Sequence, residues 1–329
     1  MLNIYNFISM KKILILVMSC NDNYFINQER VIKETWLQEI VKYPNIDYII
    51  YRGDPNIDKH RYNKDSHILE LKCEDDINNT FKKTYYALRL LTNKFNYDYI
   101  FRTNTSTYIN LGLLNSFIER VCDKNPLQLW TSEIYSLIES YCPYPLNLYG
   151  RGNGLIISRQ LVDIILKEGL SHVYLKNCDD WEIGNILNSY WINKNINYED
   201  MIKSYKHGWY KSINIENDNQ HQLCQYNNEN NNWDFINQFI TIQIKNYQDR
   251  KLEEENCKDL YNNTFKENTY NEDELKKIIE SNIEYSNNPS IFIGSSIGYI
   301  NYDKWKEMNK VSLYNLQTKY RKMENYKWL

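Results

Sequence analysis

No stretch of this sequence carries the roughly 20 consecutive apolar residues that a membrane-spanning helix needs. The earliest apolar run, Ile13 to Met18, follows Lys11-Lys12 and imitates the charged and apolar parts of a signal peptide. It is too short for an h-region. A buried first strand is the better reading, which makes the chain cytoplasmic by expectation. Positive charge is not in excess either. The 39 Lys and Arg face 42 Asp and Glu, giving a formal net charge of −3, so no basic stripe points to nucleic acid. The seven cysteines (Cys20, Cys73, Cys122, Cys142, Cys178, Cys224, Cys257) contain no C-x-x-C pair. That argues against a zinc site and against a compact disulfide framework. Their odd number and wide spacing fit reduced thiols in a cytosolic setting, with long-range disulfides left open. Glycine and proline are scarce, at 10 and 6 of 329 residues. With abundant Asn, Tyr, Ile and Lys, this bias reflects an AT-rich genome, viral or parasitic, more than a function.

What is present is an ordinary globular composition, 42% hydrophobic and 25% charged, in a chain long enough for one large or two modest domains. Residues 12–18 form a continuous apolar run, as a strand buried on both faces should. Residues 27–42 place Val31, Ile32, Trp36, Ile40 and Val41 at helical spacing. Strand-like runs at 46–51, 67–73 and 97–101 alternate with helical patterns at 79–94 and 111–121. Such alternation predicts an α/β fold with a mostly parallel, doubly wound sheet flanked by helices. Further on, 127–130 reads as a short strand, 144–154 as a glycine-bearing loop and 158–168 as a helix capped by Ser158. Residues 178–190 read as another helix, 217–232 as a polar loop and 238–245 as a strand. The expected organisation is an N-terminal extension (1–10), one single-sheet domain (11–262) and a mostly helical C-terminal appendage (263–329).

Four local patterns carry candidate chemistry. The first is Arg30-Val-Ile-Lys-Glu-Thr-Trp36, with cations at Arg30 and Lys33 and a Trp that also suits a core. The second is Asp75-Asp-Ile-Asn-Asn-Thr-Phe-Lys-Lys-Thr84, which puts Asp75 and Asn79 at a helix start and Lys83 one turn on. The third, Arg102-Thr-Asn-Thr-Ser-Thr-Tyr-Ile-Asn110, is a polar cluster where an apolar strand stops. Carboxyl ends of strands are where α/β sheets bind ligands. The fourth joins Tyr144-Pro145 and Gly152-Asn-Gly154-Leu-Ile-Ile-Ser158 to Asp179-Asp-Trp-Glu-Ile-Gly184.

In this order and spacing the patterns resemble the β-1,3-glycosyltransferases of family 31, the galactosyltransferase and Fringe type. The likeness covers about residues 12–210. It implies a GT-A-like fold and transfer of a hexose from a nucleotide-diphosphate sugar, a UDP-sugar by expectation, to a glycan or glycoprotein hydroxyl with inversion. The residues then implied on the donor side are Arg30, Lys33, Arg52, Asp75, Asn79, Lys83, Arg102, Asn104, Ser106 and His207. Those implied on the acceptor side are Tyr144, Gly152, Gly154 and Trp181. Asp180, with Asp179 beside it, stands where the family has the base that deprotonates the acceptor; Glu182 is the fallback. Late cations at Lys245 or Arg250 are a further expectation.

The chain departs from the family where three aspartates ordinarily hold a divalent cation against the diphosphate. Asn104, Thr105 and Ser106 replace them, and neutral oxygens hold Mn²⁺ or Mg²⁺ weakly. Two outcomes follow. Either transfer proceeds without metal, with Arg102, Lys83 or other cations meeting the leaving phosphate, or the domain is inactive and binds carbohydrate or nucleotide only. A structural or interaction protein that works through its C-terminal helices also stays open, as does oligomeric state.

Overall fold

A computed structural model describes residues 10–120, 122, 126–131, 134–137, 147–150, 152–175, 177–194, 205–207, 241–244, 250–264, 290–293 and 299–301. In chain order the first half contains β1 (Ile13–Met18), α1 (Asn23–Glu34), β2 (Ile46–Gly53), β3 (Arg61–Asn63), β4 (Ile68–Leu71), α2 (Thr80–Thr92), β5 (Tyr99–Asn104), β6 (Thr107–Ile109) and α3 (Leu111–Arg120). There follow β7 (Leu129–Thr131), β8 (Ile134–Leu137), β9 (Asn147–Gly150), β10 (Leu155–Ser158), α4 (Arg159–Glu168), α5 (Asp179–Asn193) and β11 (Tyr205–His207). Then come β12 (Thr241–Gln243), α6 (Arg250–Thr264), β13 (Ser290–Ile293) and β14 (Tyr299–Asn301).

The central sheet has the order β11-β7-β10-β5-β1-β2-β4-β3. β1 pairs in parallel with both β2 and β5, and β2 with β4; β10 runs antiparallel between β5 and β7. This is the expected α/β class with a mostly parallel, helix-flanked sheet. Period-2 alternation splits its core in two. Leu14 and Leu16 of β1 point to the side covered by α2, α4 and α5, while Ile13, Ile15 and Val17 point to the side covered by α1, α3 and α6. The apolar run that imitates a leader is thus the middle of the sheet. Among the described residues, no helix is long and apolar enough to cross a membrane.

Several boundaries shift for local reasons. The helix expected at 27–42 is two elements. Asp22 caps α1 by accepting from the Tyr24 amide, and α1 stops at Thr35, whose hydroxyl donates to the Val31 carbonyl at 2.7 Å. A 3₁₀ segment, Trp36–Lys42, continues. Ser158 caps α4 as expected, accepting from the Leu161 amide at 3.2 Å. The loop expected at 144–154 contains β9, and the single sheet expected is joined by two smaller ones. β12 pairs with β6, and β14-β13-β8-β9 form a four-stranded sheet. The stretch expected to be a mostly helical appendage therefore includes two strands, with β13 parallel to β8. Runs such as Ser290-Ile-Phe-Ile293 are too short for a helix and rich in residues that suit a pleated ladder. The expectations for 1–9, 217–232, 265–289 and 302–329 lie outside the described residues.

Helix α6 belongs to the main body. Its buried Glu253 accepts from the Gln28 side chain of α1 at 3.0 Å and from the Tyr24 hydroxyl, while Tyr261 donates to Glu39 at 2.8 Å. Trp36 lies beneath this packing and is fully buried. Replacing Trp36 with Ala should cost about 3–5 kcal/mol, the usual range for an aromatic truncated in a core. Urea unfolding measures it, and a loss under 1 kcal/mol would remove Trp36 from the core.

Candidate functional site

The site begins where β1 and β5 end. Buried cations there need carboxylate partners, because an unpaired charge away from water is prohibitively costly. Arg102, the fourth residue of β5, is 1% exposed. Its Nη2 donates to Asp179 Oδ1 at 2.8 Å, and its Nε lies 2.6 Å from Asp179 Oδ2. Its Nη1 donates to the Gly152 carbonyl, and Nη2 also lies 3.5 Å from Met18 Sδ. Burial works against the guanidinium charge, but Asp179, Tyr51 and Asp180 raise the arginine above its ordinary value, so it stays charged. Asp179 Oδ2 also accepts from Thr84 Oγ1 at 2.9 Å, and its amide donates to Thr80 Oγ1 at 3.1 Å. Tyr51 completes this network through Thr84 at 2.8 Å.

A second buried pair lies at the end of β1. Lys83 donates to Asp75 and, at 3.0 Å, to the Ser19 carbonyl, while Asp75 Oδ2 accepts from the Asn21 amide. Asp75 thus ties the turn after β1 to α2. Asp76 caps the next turn, accepting from the Asn79 amide at 3.0 Å and the Asn79 side chain at 2.9 Å.

Asp180 has a different setting. Its carboxylate touches no lysine or arginine within ion-pair distance among the described residues. Oδ1 accepts from the Trp181 amide at 2.8 Å and Oδ2 from the Gly152 amide at 3.2 Å. Burial first, and the adjacent Asp179 second, push its pKa up to about 6; Arg102 and the two amides oppose the shift. Gly152 is required at this place. A Cβ on it would stand 2.7 Å from Arg102 Nη1 and 3.2 Å from Asp180 Oδ2. Gly154 is buried behind it, and Trp181 stacks on Tyr149 with ring centroids 6.4 Å apart.

The cluster at 104–106 is folded on itself. Asn104 Oδ1 accepts from the Ser106 amide at 3.2 Å, Ser106 Oγ at 2.8 Å and Thr107 Oγ1 at 2.9 Å. A neutral oxygen so engaged by its own turn does not fit a hard divalent cation. Among the described residues, no group of three or more His, Cys, Asp or Glu is arranged to hold a metal. Asn110, the last residue of that pattern, caps α3 by accepting from the Leu113 amide at 3.1 Å.

The structure gathers Arg102, Asn104, Gly152, Asp179 and Asp180 in one place, with Lys83 and Asp75 at the neighbouring strand end. It does not gather the rest. Arg30 sits on the surface, paired with Glu34 and Glu254, which draws Glu254 down to about 2 through Lys258 first and Arg30 second. Lys33 donates to the Ser66 carbonyl at 3.3 Å. Arg52 lies between Glu29 and Glu70, at 3.7 and 3.5 Å. Glu182, the fallback base, is fully buried and bonded to His172 and Asn177. His207 ends β11, its backbone opposite Thr131 of β7, and Tyr144 and Lys245 lie outside the described residues. Tyr51 is a site component that the sequence does not signal; Thr84, part of the second pattern, contributes by bonding Asp179, and Gly152, expected on the acceptor side, contributes its backbone to Arg102 and Asp180. Their roles arise from contacts across the sheet that no local spacing encodes.

Two outcomes test this geometry. Removing one partner of a buried ion pair costs about 3–5 kcal/mol. Arg102→Met should lose that much, and Asp179→Asn added to it should cost far less than a second independent loss, as a double-mutant cycle would show. Additive losses would mean the pair is solvated. Asp180 has a folded pKa of about 6 against an ordinary 3.8. Its protonated form therefore favours folding below about pH 4, and that contribution is lost as pH rises through 6. The stability of Asp180→Asn relative to wild type should rise between pH 4 and 7.5, by roughly 1–3 kcal/mol. A flat difference would place the carboxyl in water.

No protein-family model matches the sequence, and no curated protein matches it. A solved structure, described as the crystal structure of a glycosyltransferase involved in the glycosylation of the major capsid of PBCV-1, aligns with 75% of this chain and 99% of that one. The alignment has 10% identity and a TM-score of 0.39. A likeness that distant has no bearing on function, and the α/β architecture rests on the strand order itself.

Proposed function

We propose that this chain is a glycosyltransferase that moves a hexose from a nucleotide-diphosphate sugar, with UDP as nucleotide, to a hydroxyl of a glycan or glycoprotein. The observation that carries the reading is Asp180, bonded to the Gly152 amide beside the Arg102 end of β5, with a pKa near 6 and no cation paired to it among the described residues. A general base serves best when its pKa lies close to the working pH. In the inverting reaction, the Asp180 carboxylate takes the proton from the acceptor hydroxyl. The oxygen then attacks the anomeric carbon from the face opposite the diphosphate, and the bond from that carbon to the phosphate oxygen breaks, leaving both electrons on the phosphate. Arg102 and Asp179 hold the base in place and contribute little net charge, since they neutralise each other. The self-bonded turn at 104–106 supports a metal-independent transfer. Arg30 and Lys33, engaged elsewhere, are not part of this proposal.

One observation favours the second reading, an inactive module that binds nucleotide or carbohydrate. Both buried cations at the site, Arg102 and Lys83, already have carboxylate partners, which leaves less charge for a leaving diphosphate.

Thermal-shift binding of a UDP-sugar panel, in EDTA and in Mn²⁺, followed by transfer assays of Asp180→Asn, separates the readings. A transferase should gain melting temperature with ligand in EDTA. Asp180→Asn should keep that gain while turnover falls about 10²–10⁴-fold. Wild-type turnover should rise with pH through about 6 as the base loses its proton. Ligand binding with no turnover in wild type would establish the binding module. Binding only with Mn²⁺ would overturn the metal-free mechanism.

A further inference from the structure

The first turn of α5 carries three acids, and each is held differently. Asp179 faces Arg102, Thr84 and the start of α2. Glu182, three residues on, shares that side of the helix but meets a different partner: it has no exposed surface, lies 2.6 Å from His172 Nδ1 through Oε2, and accepts from Asn177 Nδ2 through Oε1. Asp180 lies on another side, since helical residues one or two apart do not face each other. His172 belongs to the 3₁₀ segment Gly169–Tyr174 that follows α4, and its ring meets the edge of buried Phe81 with centroids 6.5 Å apart.

The Asp180 contacts do not settle its own direction. The Trp181 amide belongs to the same helix and turns with it, and the Gly152 amide is a single bond at 3.2 Å. What fixes the carboxylate is the rotation of the turn that bears it. That rotation is set by two buried anchors, Arg102 on Asp179 and His172 on Glu182. A buried carboxylate left without its partner would move toward water and carry the turn with it.

We infer that His172 is a positioning residue, which donates from Nδ1 to the buried Glu182 and so aims the Asp180 carboxylate. The inference rests on Asp180 as the base. The groups that face His172 are Glu182 from α5 and Phe81 from α2. Those that face Asp180 are Arg102 from β5, the neighbouring Asp179, the Cys178 thiol ahead of the helix and the Gly152 amide. The anchor is thus distinct from the groups that act on the base directly.

The test uses the full chain, with His172→Ala, His172→Asn and His172→Gln. Ala removes the donor, Gln carries its amide one bond further out, at the place of Nε2, and Asn restores an N–H on Cγ near the place of Nδ1. Turnover of a UDP-sugar should fall about tenfold or more in Ala and Gln, with donor KM within about twofold, because misplacing a catalytic group by an ångström costs that order of rate. His172→Asn should recover most of the loss. A second readout does not need turnover: the ¹³C titration of the Asp180 carboxyl, assigned by its absence in Asp180→Asn. Its midpoint should move toward the ordinary aspartate range in Ala or Gln and stay in place in His172→Asn. Where Ala does not fold, Gln asks the same question. A fall in melting temperature with midpoint and turnover both unchanged would overturn the inference and leave His172 a stability residue. Absence of wild-type turnover would sink the transferase reading, while the titration would still decide the role of His172.

Discussion

The buried pair of Arg102 and Asp179 is the constraint to which the rest of the site conforms. An arginine that is 1% exposed on a central strand requires a counter-charge. The sheet cannot supply one, because neighbours in β1 and β10 are apolar at that level: Leu16 and Leu155 stand opposite Arg102. The carboxylate therefore comes from residue 179, at the start of a helix packed beside the sheet. That requirement acts with the buried Ile183, Ile186, Leu187 and Trp191 to dock α5 beside α2. It also draws the backbone of Gly152 over the guanidinium, where any side chain would collide. Such a pair adds little net stability over an apolar equivalent. What it adds is geometry, since two charges away from water have few alternative arrangements.

Within that arrangement, the neutral side chains at 104–106 are coherent. Lys83 is balanced by Asp75 and Arg102 by Asp179, which leaves Asp180 as the unbalanced charge of the site among the described residues. Three further carboxylates at the end of β5 would need an external cation to coexist with it. Amide and hydroxyl side chains remove that need, and they cap their own turn with the hydrogen-bonding groups that remain.

Much of the fold was legible because its signals are local. The runs at 12–18, 46–51 and 97–101 mark the strands that become β1, β2 and β5, and Ser158 marks the start of α4. Some short strands were not legible. β9 and β13 have few residues and no clear alternation, and they exist through pairing with β8. The site was half legible. Spacing placed Asp75 and Asn79 at a helix start with Lys83 one turn on, and found the polar end of β5. It could not say that Arg30 would turn to Glu254, that Glu182 would face His172, or that Thr84 would reach Asp179. Each of those contacts is set by packing between elements far apart in sequence, and basic residues at helical spacing look alike whether they end at a ligand or on the surface.

The pairing of β13 with β8 has a consequence in time. Ile291 stands beside Ile134, and β8 in turn carries β9, which leads into the glycines that close over Arg102 and Asp180. A ribosome makes residue 134 well before residue 291, and long-range parallel pairing is slow to form even when both partners exist. The central strands and their helices can collapse early, whereas the sheet that backs the Gly152 loop must wait for β13 and β14. Nascent chains would then hold a formed core and an unfinished site.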